Sequence, residues 1–272
     1  MEELYVAGAL AAAALLFCAA LCLACCHHRK KHPLMPLLQK TSYAHRGLHG
    51  EGVPENSLSA IKKAAERGYG IEFDLHLTAD GKLAVVHDDN LLRVCESDVR
   101  VCESSLAELR CHPLKKGEPI PCFEEVLSAV KGRVPLLIEL KNDGNNGKAL
   151  VRACLAVLED YKGPYCIESF DPRVLFELKK QAPGVARGQL SYNYLKKSSK
   201  SYPVRLLLYA MLSNGWTTPD FVAYKQADQG SVPCRLAKLA GIPLFFWTVR
   251  DKEDALEEIQ KGNAVIFEKF EL

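Results

Sequence analysis

Charge of one sign is what this 272-residue sequence lacks: 35 Lys and Arg stand against 33 Asp and Glu, a net charge of +2. So balanced a chain carries no basic footprint for nucleic-acid phosphates, and nucleic acid is excluded as a partner. Paired cysteine motifs are missing as well. Of 11 cysteines, Cys18, Cys22, Cys25 and Cys26 belong to an apolar N-terminal stretch. The other seven, Cys95, Cys102, Cys111, Cys122, Cys154, Cys166 and Cys234, are scattered without a CxxC pair. That spacing argues against a structural zinc site and reads as free thiols in a reducing compartment. Internal repeats and low-complexity tracts are absent, and 48% hydrophobic and 25% charged residues are ordinary for a globular domain.

A further absence is local. Leu4 to Cys26 holds no charged residue, and as a helix it spans ~34 Å, enough for a hydrocarbon core of ~30 Å. A cleaved signal peptide needs a positive start, and this chain begins Met1-Glu2-Glu3. A lipoprotein cleavage site before Cys25 or Cys26 fits less well, because Cys22 stands where an aliphatic residue belongs. The positive charge follows instead, in His27, His28, Arg29, Lys30, Lys31 and His32. The sequence therefore predicts a single-pass membrane anchor over 1–26, a basic juxtamembrane linker over 27–40, and a cytoplasmic domain over 41–272. The basic cluster reads as a stop-transfer flank, with anionic headgroups as its alternative contact.

From Ser42 onward, short apolar runs alternate with helical patterns. Strands are expected at 42–45, 71–77, 136–141, 165–169, 185–190, 221–224, 243–248 and 264–267, with helices between them. The helix over 57–67 is expected to take Asn56 as its N-cap. Repeated strand–helix units imply a parallel sheet. With Leu83–His87 set aside as a side hairpin, eight strands imply an α/β fold, a closed (β/α)8 TIM barrel. An open doubly wound sheet is the alternative.

What is present is concentrated. In Ile71-Glu72-Phe73-Asp74 the two carboxylates project together, because residues i and i+2 of a strand share a face. Leu137, Glu139 and Lys141 share a side of another strand. Three carboxylates from two strands make a hard oxygen site suited to Ca²⁺ or Mg²⁺. His45 and His87 each end an apolar run, where barrel enzymes place their chemistry, and two histidines beside an arginine suit a general acid and base. Arg46 offers a planar fork for phosphate oxygens and Lys141 a compact second charge. Gly47 permits close backbone approach. Cys166 reads as core.

The phrases Ala44-His45-Arg46-Gly47, Pro54-Glu55-Asn56-Ser57, Gly70-Ile71-Glu72-Phe73-Asp74, Val85-Val86-His87-Asp88, Ile138-Glu139-Leu140-Lys141, Ser169-Phe170-Asp171-Pro172 and Trp247-Thr248-Val249 resemble, in order, the glycerophosphodiester phosphodiesterase (GDPD) family. The resemblance implies a TIM barrel that hydrolyses glycerophosphodiesters to an alcohol and sn-glycerol 3-phosphate. It implies His45 and His87 as the acid–base pair, Glu72, Asp74 and Glu139 as holders of one divalent cation, and Arg46 and Lys141 as phosphate contacts. Phe170 and Trp247 match residues lining the alcohol side. Two departures stand out. Ile266-Phe267-Glu268-Lys269-Phe270 replaces the family's usual Ile-Thr-Asp ending, a change expected to touch no catalytic role. The stretch between His87 and Phe123 is short, so a large insertion cap is expected to be absent or reduced.

The expected function is metal-dependent hydrolysis of glycerophosphodiesters from lipid turnover. Lysophospholipase D-type cleavage is a second reading, and a non-catalytic headgroup-binding barrel a third. The run Leu206–Leu212, preceded by Lys196, Lys197, Lys200 and Arg205 and followed by Trp216, is expected as a barrel helix; a bilayer-interface segment is its alternative.

Overall fold

The computed structural model describes residues 1, 5–6, 8–10, 12, 19, 22–24, 26–29, 31–143, 145–196 and 199–272. About half of the expected membrane anchor, together with Lys30 and Lys197, lies outside them. Among the described residues, no helix is long and apolar enough to cross a membrane.

The apolar runs form nine strands: β1 Ser42–Ala44, β2 Gly70–Leu77, β3 Leu83–Val85, β4 Leu136–Leu140, β5 Tyr165–Ser169, β6 Arg187–Ser191, β7 Phe221–Lys225, β8 Leu244–Val249 and β9 Ala264–Phe267. Eight of them pair in parallel, and β1 pairs with both β9 and β2, which closes the ring. The remaining strand, β3, is antiparallel to β2, the side hairpin that the count of eight requires. Strands buried on both faces read as near-continuous apolar runs, as in Leu136–Leu140 and Ala264–Phe267. Their alternation sorts two cores. Ile71, Phe73, Leu75 and Ile138 face the surrounding helices. Tyr43, Leu137, Cys166, Phe221 and Phe245 fill the barrel interior, where the rings of Phe221 and Phe245 stack at 4.2 Å. Gly188 makes room for this, since a Cβ there would lie 2.1 Å from the Phe221 ring.

The stretch expected as a linker is built into the domain. Met35–Leu38 forms one helical turn with Met35 and Leu38 buried against the barrel-interior residues, and Tyr43 donates its hydroxyl proton to the Leu38 carbonyl at 3.0 Å. His32 is buried and bonds the Gly184 carbonyl, and Arg29 pairs with Asp220. Leu34, Met35 and Leu38 pack against the barrel-interior residues while Leu37 stays exposed, enough to cover that end of the barrel despite the prolines on either side of Met35. The N-cap expectation is also corrected. Ser57 caps Leu58–Glu66 by accepting from the Ala60 N–H, which frees Asn56 to reach the site. Residues 84–122 pack a small satellite core of Val86, Leu91, Val94, Val101, Leu109, Leu114 and Ile120. Cys95, Cys102, Cys111, Cys122, Cys154, Cys166 and Cys234 are free thiols.

Candidate active site

The site residues come from the C-terminal side of the barrel strands, except His87, which follows the antiparallel hairpin strand β3. His45 follows β1, Glu72 and Asp74 lie on β2, Glu139 on β4 with Lys141 just beyond, Phe170 follows β5, and Trp247 lies on β8. The register sets Asp74 beside Glu139 and Glu139 beside Glu168 on three adjacent strands. A cavity of about 480 Å³ is lined by His45, Arg46, Glu72, His87, Glu139 and Glu168, with Phe170 and Trp247 on its rim. Phe170 meets Trp247 edge-to-face at 5.4 Å.

Glu72, Asp74 and Glu139 are all buried and offer oxygens that lie within 4.8 Å of one another. Three carboxylates so close and so dry repel one another. Burial, reinforced by the charges of Asp74 and Glu139, pushes Glu72 well above the usual carboxylate range. Glu139 is raised to about 7, mainly by burial. Asp74, also opposed by burial, is held far below the usual range by Lys141, His87 and Arg46 and by the Asn56 amide, which donates to Asp74 Oδ2 at 2.8 Å. This donor set fits a divalent cation, since only oxygen is offered and the excess negative charge is what such an ion neutralises. Glu168 was not foreseen. It is fully buried beside this row, its Oε2 has no hydrogen-bond partner, and burial, with the charges of Glu139 and Glu72, pushes its carboxyl well above the usual range.

The two histidines are oriented alike. His45 Nδ1 donates to Glu268 Oε2 at 2.7 Å, and His87 Nδ1 to Asp88 Oδ1 at 2.6 Å. A carboxylate only accepts, so each bond fixes the proton on Nδ1 and leaves Nε2 to exchange one. Burial lowers the pKa of both imidazoles, against the raising influence of Glu268 and Asp74 respectively. The altered last strand, expected to touch no catalytic role, reaches a candidate site residue: Glu268 is the acceptor for His45. It also pairs with Arg250 at 2.5 Å, and its carboxyl, though partly desolvated, falls to about 2 through these two partners. His49 Nε2 lies 3.9 Å from the same carboxylate. His76 bridges Asp143 at 2.8 Å and the His87 carbonyl at 3.1 Å, holding the chain that carries His87.

The cations are less free than the sequence suggests. Lys141 Nζ sits 3.0 Å from Asp74 Oδ1 and 2.7 Å from Glu139 Oε1. Arg46 pairs with Glu55 at 2.7 Å and approaches Asp74 at 3.6 Å. Its backbone is left-handed, with φ of 56°, which turns its N–H onto Glu72 Oε2 at 2.9 Å. Gly47, at φ of 78°, completes this turn against the Ala60 backbone, where a Cβ would come within 2.8 Å.

Residues 45–268 match the glycerophosphoryl diester phosphodiesterase family. A curated relative, the glycerophosphodiester phosphodiesterase of Caldanaerobacter subterraneus subsp. tengcongensis, is 29% identical over 231 residues, 80% of this chain and 89% of that one. The glycerophosphodiester phosphodiesterase of Thermotoga maritima superposes with a TM-score of 0.64 at 26% identity, covering 84% of this chain and 94% of that one. A phosphodiesterase of Oleispira antarctica, solved in complex with the product sn-glycerol-3-phosphate, shares the fold with a TM-score of 0.71 at 24% identity, over 86% of this chain and 94% of that one. A family match reaching from His45 to Glu268 spans every strand of the closed barrel except β1, and with it both residues of the His45–Glu268 pair; this chain belongs to the glycerophosphoryl diester phosphodiesterase family.

Proposed function

We propose that this chain hydrolyses glycerophosphodiesters to an alcohol and sn-glycerol 3-phosphate by acid–base catalysis between His45 and His87. The observation that carries the reading is one mouth holding three clustered carboxylates and two histidines, each histidine oriented by its own carboxylate. Glu72, Asp74 and Glu139 would hold one Ca²⁺ or Mg²⁺. When bound, the cation supplies positive charge against the phosphodiester and its developing negative charge. Arg46 and Lys141 add to that charge once phosphate oxygens compete with their present carboxylate partners. One histidine takes the proton of the attacking hydroxyl, either from water or from the substrate's own glycerol; in the second case a cyclic phosphate forms first and water then opens it to sn-glycerol 3-phosphate. The other gives a proton to the departing alcohol oxygen as its bond to phosphorus breaks. Phe170 and Trp247 wall the alcohol side.

A second reading keeps the same chemistry on lysophospholipids. It is favoured by a larger cavity of about 1070 Å³ that starts at His87, Glu139 and Lys141 and ends on Val204, Leu207 and Leu208, room for an acyl chain. A membrane anchor over residues 4–26 with the domain on the cytoplasmic side rests on the uncharged run and its basic flank. The test is turnover of glycerophosphocholine against lysophosphatidylcholine by the full chain with Ca²⁺ or Mg²⁺. Inertness toward both, and toward a wider diester panel, leaves the headgroup-binding barrel as the reading.

A further inference from the structure

The helix Tyr202–Tyr209 and the turn Asn214–Thr217 that follows it expose an apolar surface. Between Lys200 and Asp220 the only charged residue is Arg205. A helix apolar on all sides is normally buried, yet here only Leu208 is. Tyr202 is 65% exposed, Val204 44%, Leu206 46% and Trp216 44%. At 100° per residue Tyr202 and Leu206 lie about 40° apart on the outer face, with exposed Pro203 beside them.

Two further observations say what covers this face. The first is charge. Arg205 donates to the Tyr194 and Leu195 carbonyls. Lys179 donates to the Trp216 carbonyl and the Thr218 hydroxyl. Both cations border the patch and are bonded to neutral oxygens, so their charge is not cancelled by these partners. The second is where the uncharged segment meets the domain. Ala24 stands against Gly215, 3.7 Å from where a Cβ would be, next to Trp216, and the Arg29 N–H bonds the Pro219 carbonyl. Ala24 and Arg29 therefore meet the barrel at the edge of the patch.

We propose that the face formed by Tyr202, Pro203, Leu206 and Trp216 rests on an anionic lipid surface, with Arg205 and Lys179 at the headgroups. Tyrosine and tryptophan favour that boundary because each ring is apolar with one polar atom. Since the helix follows β6 and starts at the mouth, side-on docking lays the barrel along the surface. The larger cavity then opens beside the lipid, with Val204, Leu207 and Leu208 at its outer end.

The test uses the full chain and vesicles of phosphatidylcholine and phosphatidylglycerol, with brominated or plain acyl chains. Subtracting the emission of Trp216→Phe isolates Trp216. The expected result is strong quenching of Trp216 by brominated lipid, and partitioning about 25-fold stronger with phosphatidylglycerol than without, from two cations at roughly fivefold each. Tyr202→Glu with Leu206→Glu abolishes the quenching and leaves glycerophosphocholine hydrolysis unchanged; Leu206→Ser is the milder variant should the pair fold poorly. Equal Trp216 emission in brominated and plain vesicles that carry the chain overturns the proposal, as does failure of the chain to co-float with anionic vesicles. Lipid-free dimerisation that Leu206→Ser abolishes also overturns it, by giving the face to a second copy.

Discussion

Replacing Glu268 by Gln keeps the shape at His45 and removes the charge. The native carboxyl is pulled from 4.5 to about 2, and at about 1.4 kcal/mol per pH unit this is about 3 kcal/mol of preference for the charged form. Two partners share it. Arg250 is largely exposed, with 60% of its side chain open, so its part is screened and about half is assigned to His45. About 1.5 kcal/mol is roughly tenfold in rate if the bond is needed throughout turnover. Glu268 also raises the His45 pKa, so its loss moves that pKa down. The assay is kcat against pH on glycerophosphocholine, with thermal unfolding as the control for folding. Glu268→Gln is expected to lower kcat about tenfold and to shift the His45-dependent limb of the profile to lower pH, with Glu268→Asp recovering part of both. Unchanged kcat and an unchanged profile in Glu268→Gln would show that the 2.7 Å bond plays no part in orienting His45.

His45→Ala and His87→Ala are each expected to reduce turnover by roughly 10²–10⁴ with circular dichroism and thermal unfolding unchanged; near-normal activity in either removes it from proton transfer. Dialysis against a chelator is expected to abolish hydrolysis, and Ca²⁺ or Mg²⁺ to restore it; full activity after chelation refutes the carboxylate cluster as a cation site. Glu139 gives a signed pH effect. Its folded pKa of about 7 exceeds the unfolded value of about 4.3, so the folded state binds this proton more tightly. Metal-free stability therefore falls as pH rises from about 4.3 to about 7, by about 3–4 kcal/mol for this group. Comparing melting temperatures with Glu139→Gln at pH 5 and 8 covers about 2.5 kcal/mol of that change, and the variant should gain roughly 5–10 °C on the native chain between the two; a constant offset refutes the assignment. Gly188→Ala drives a Cβ to 2.1 Å from the buried Phe221 ring and should lower stability by about 2–3 kcal/mol, read as a lower melting temperature.

The barrel was legible because its strands are buried on both faces and bounded by helical periodicity, and setting Leu83–His87 aside as a side hairpin left the eight strands a closed barrel needs. The paired carboxylates were legible for the same reason: period-two alternation puts Glu72 and Asp74 on the inner face and Phe73 on the outer. What escaped was held by distance along the chain. Glu268 meets a residue 223 positions earlier, and local patterning carries no trace of that pairing. A usable signal did exist, because an acidic residue directly after a barrel strand occupies the same kind of position as His45. Glu168 hid in Tyr-Cys-Ile-Glu-Ser, where the alternation that marks Cys166 as inward also marks Glu168. The cover formed by Met35–Leu38 was missed because prolines and a basic flank outweighed four apolar residues. Asn56 and Ser57 are both good caps, and only the position of Asp74 decides between them.

β1 and β9 are neighbours in the ring though they stand at opposite ends of the domain, and the His45–Glu268 bond spans their seam just above the last rung. The imidazole is thus set by the same event that zips the ring shut. A chain whose final strand has frayed keeps its carboxylate row, which lies on β2 and β4, yet has lost the acceptor behind one imidazole. Cation binding and turnover should therefore part company under mild denaturant: the first survives seam opening, while the second falls at least as far as in Glu268→Gln. Catalysis then becomes a gauge of whether the two ends of the fold are joined.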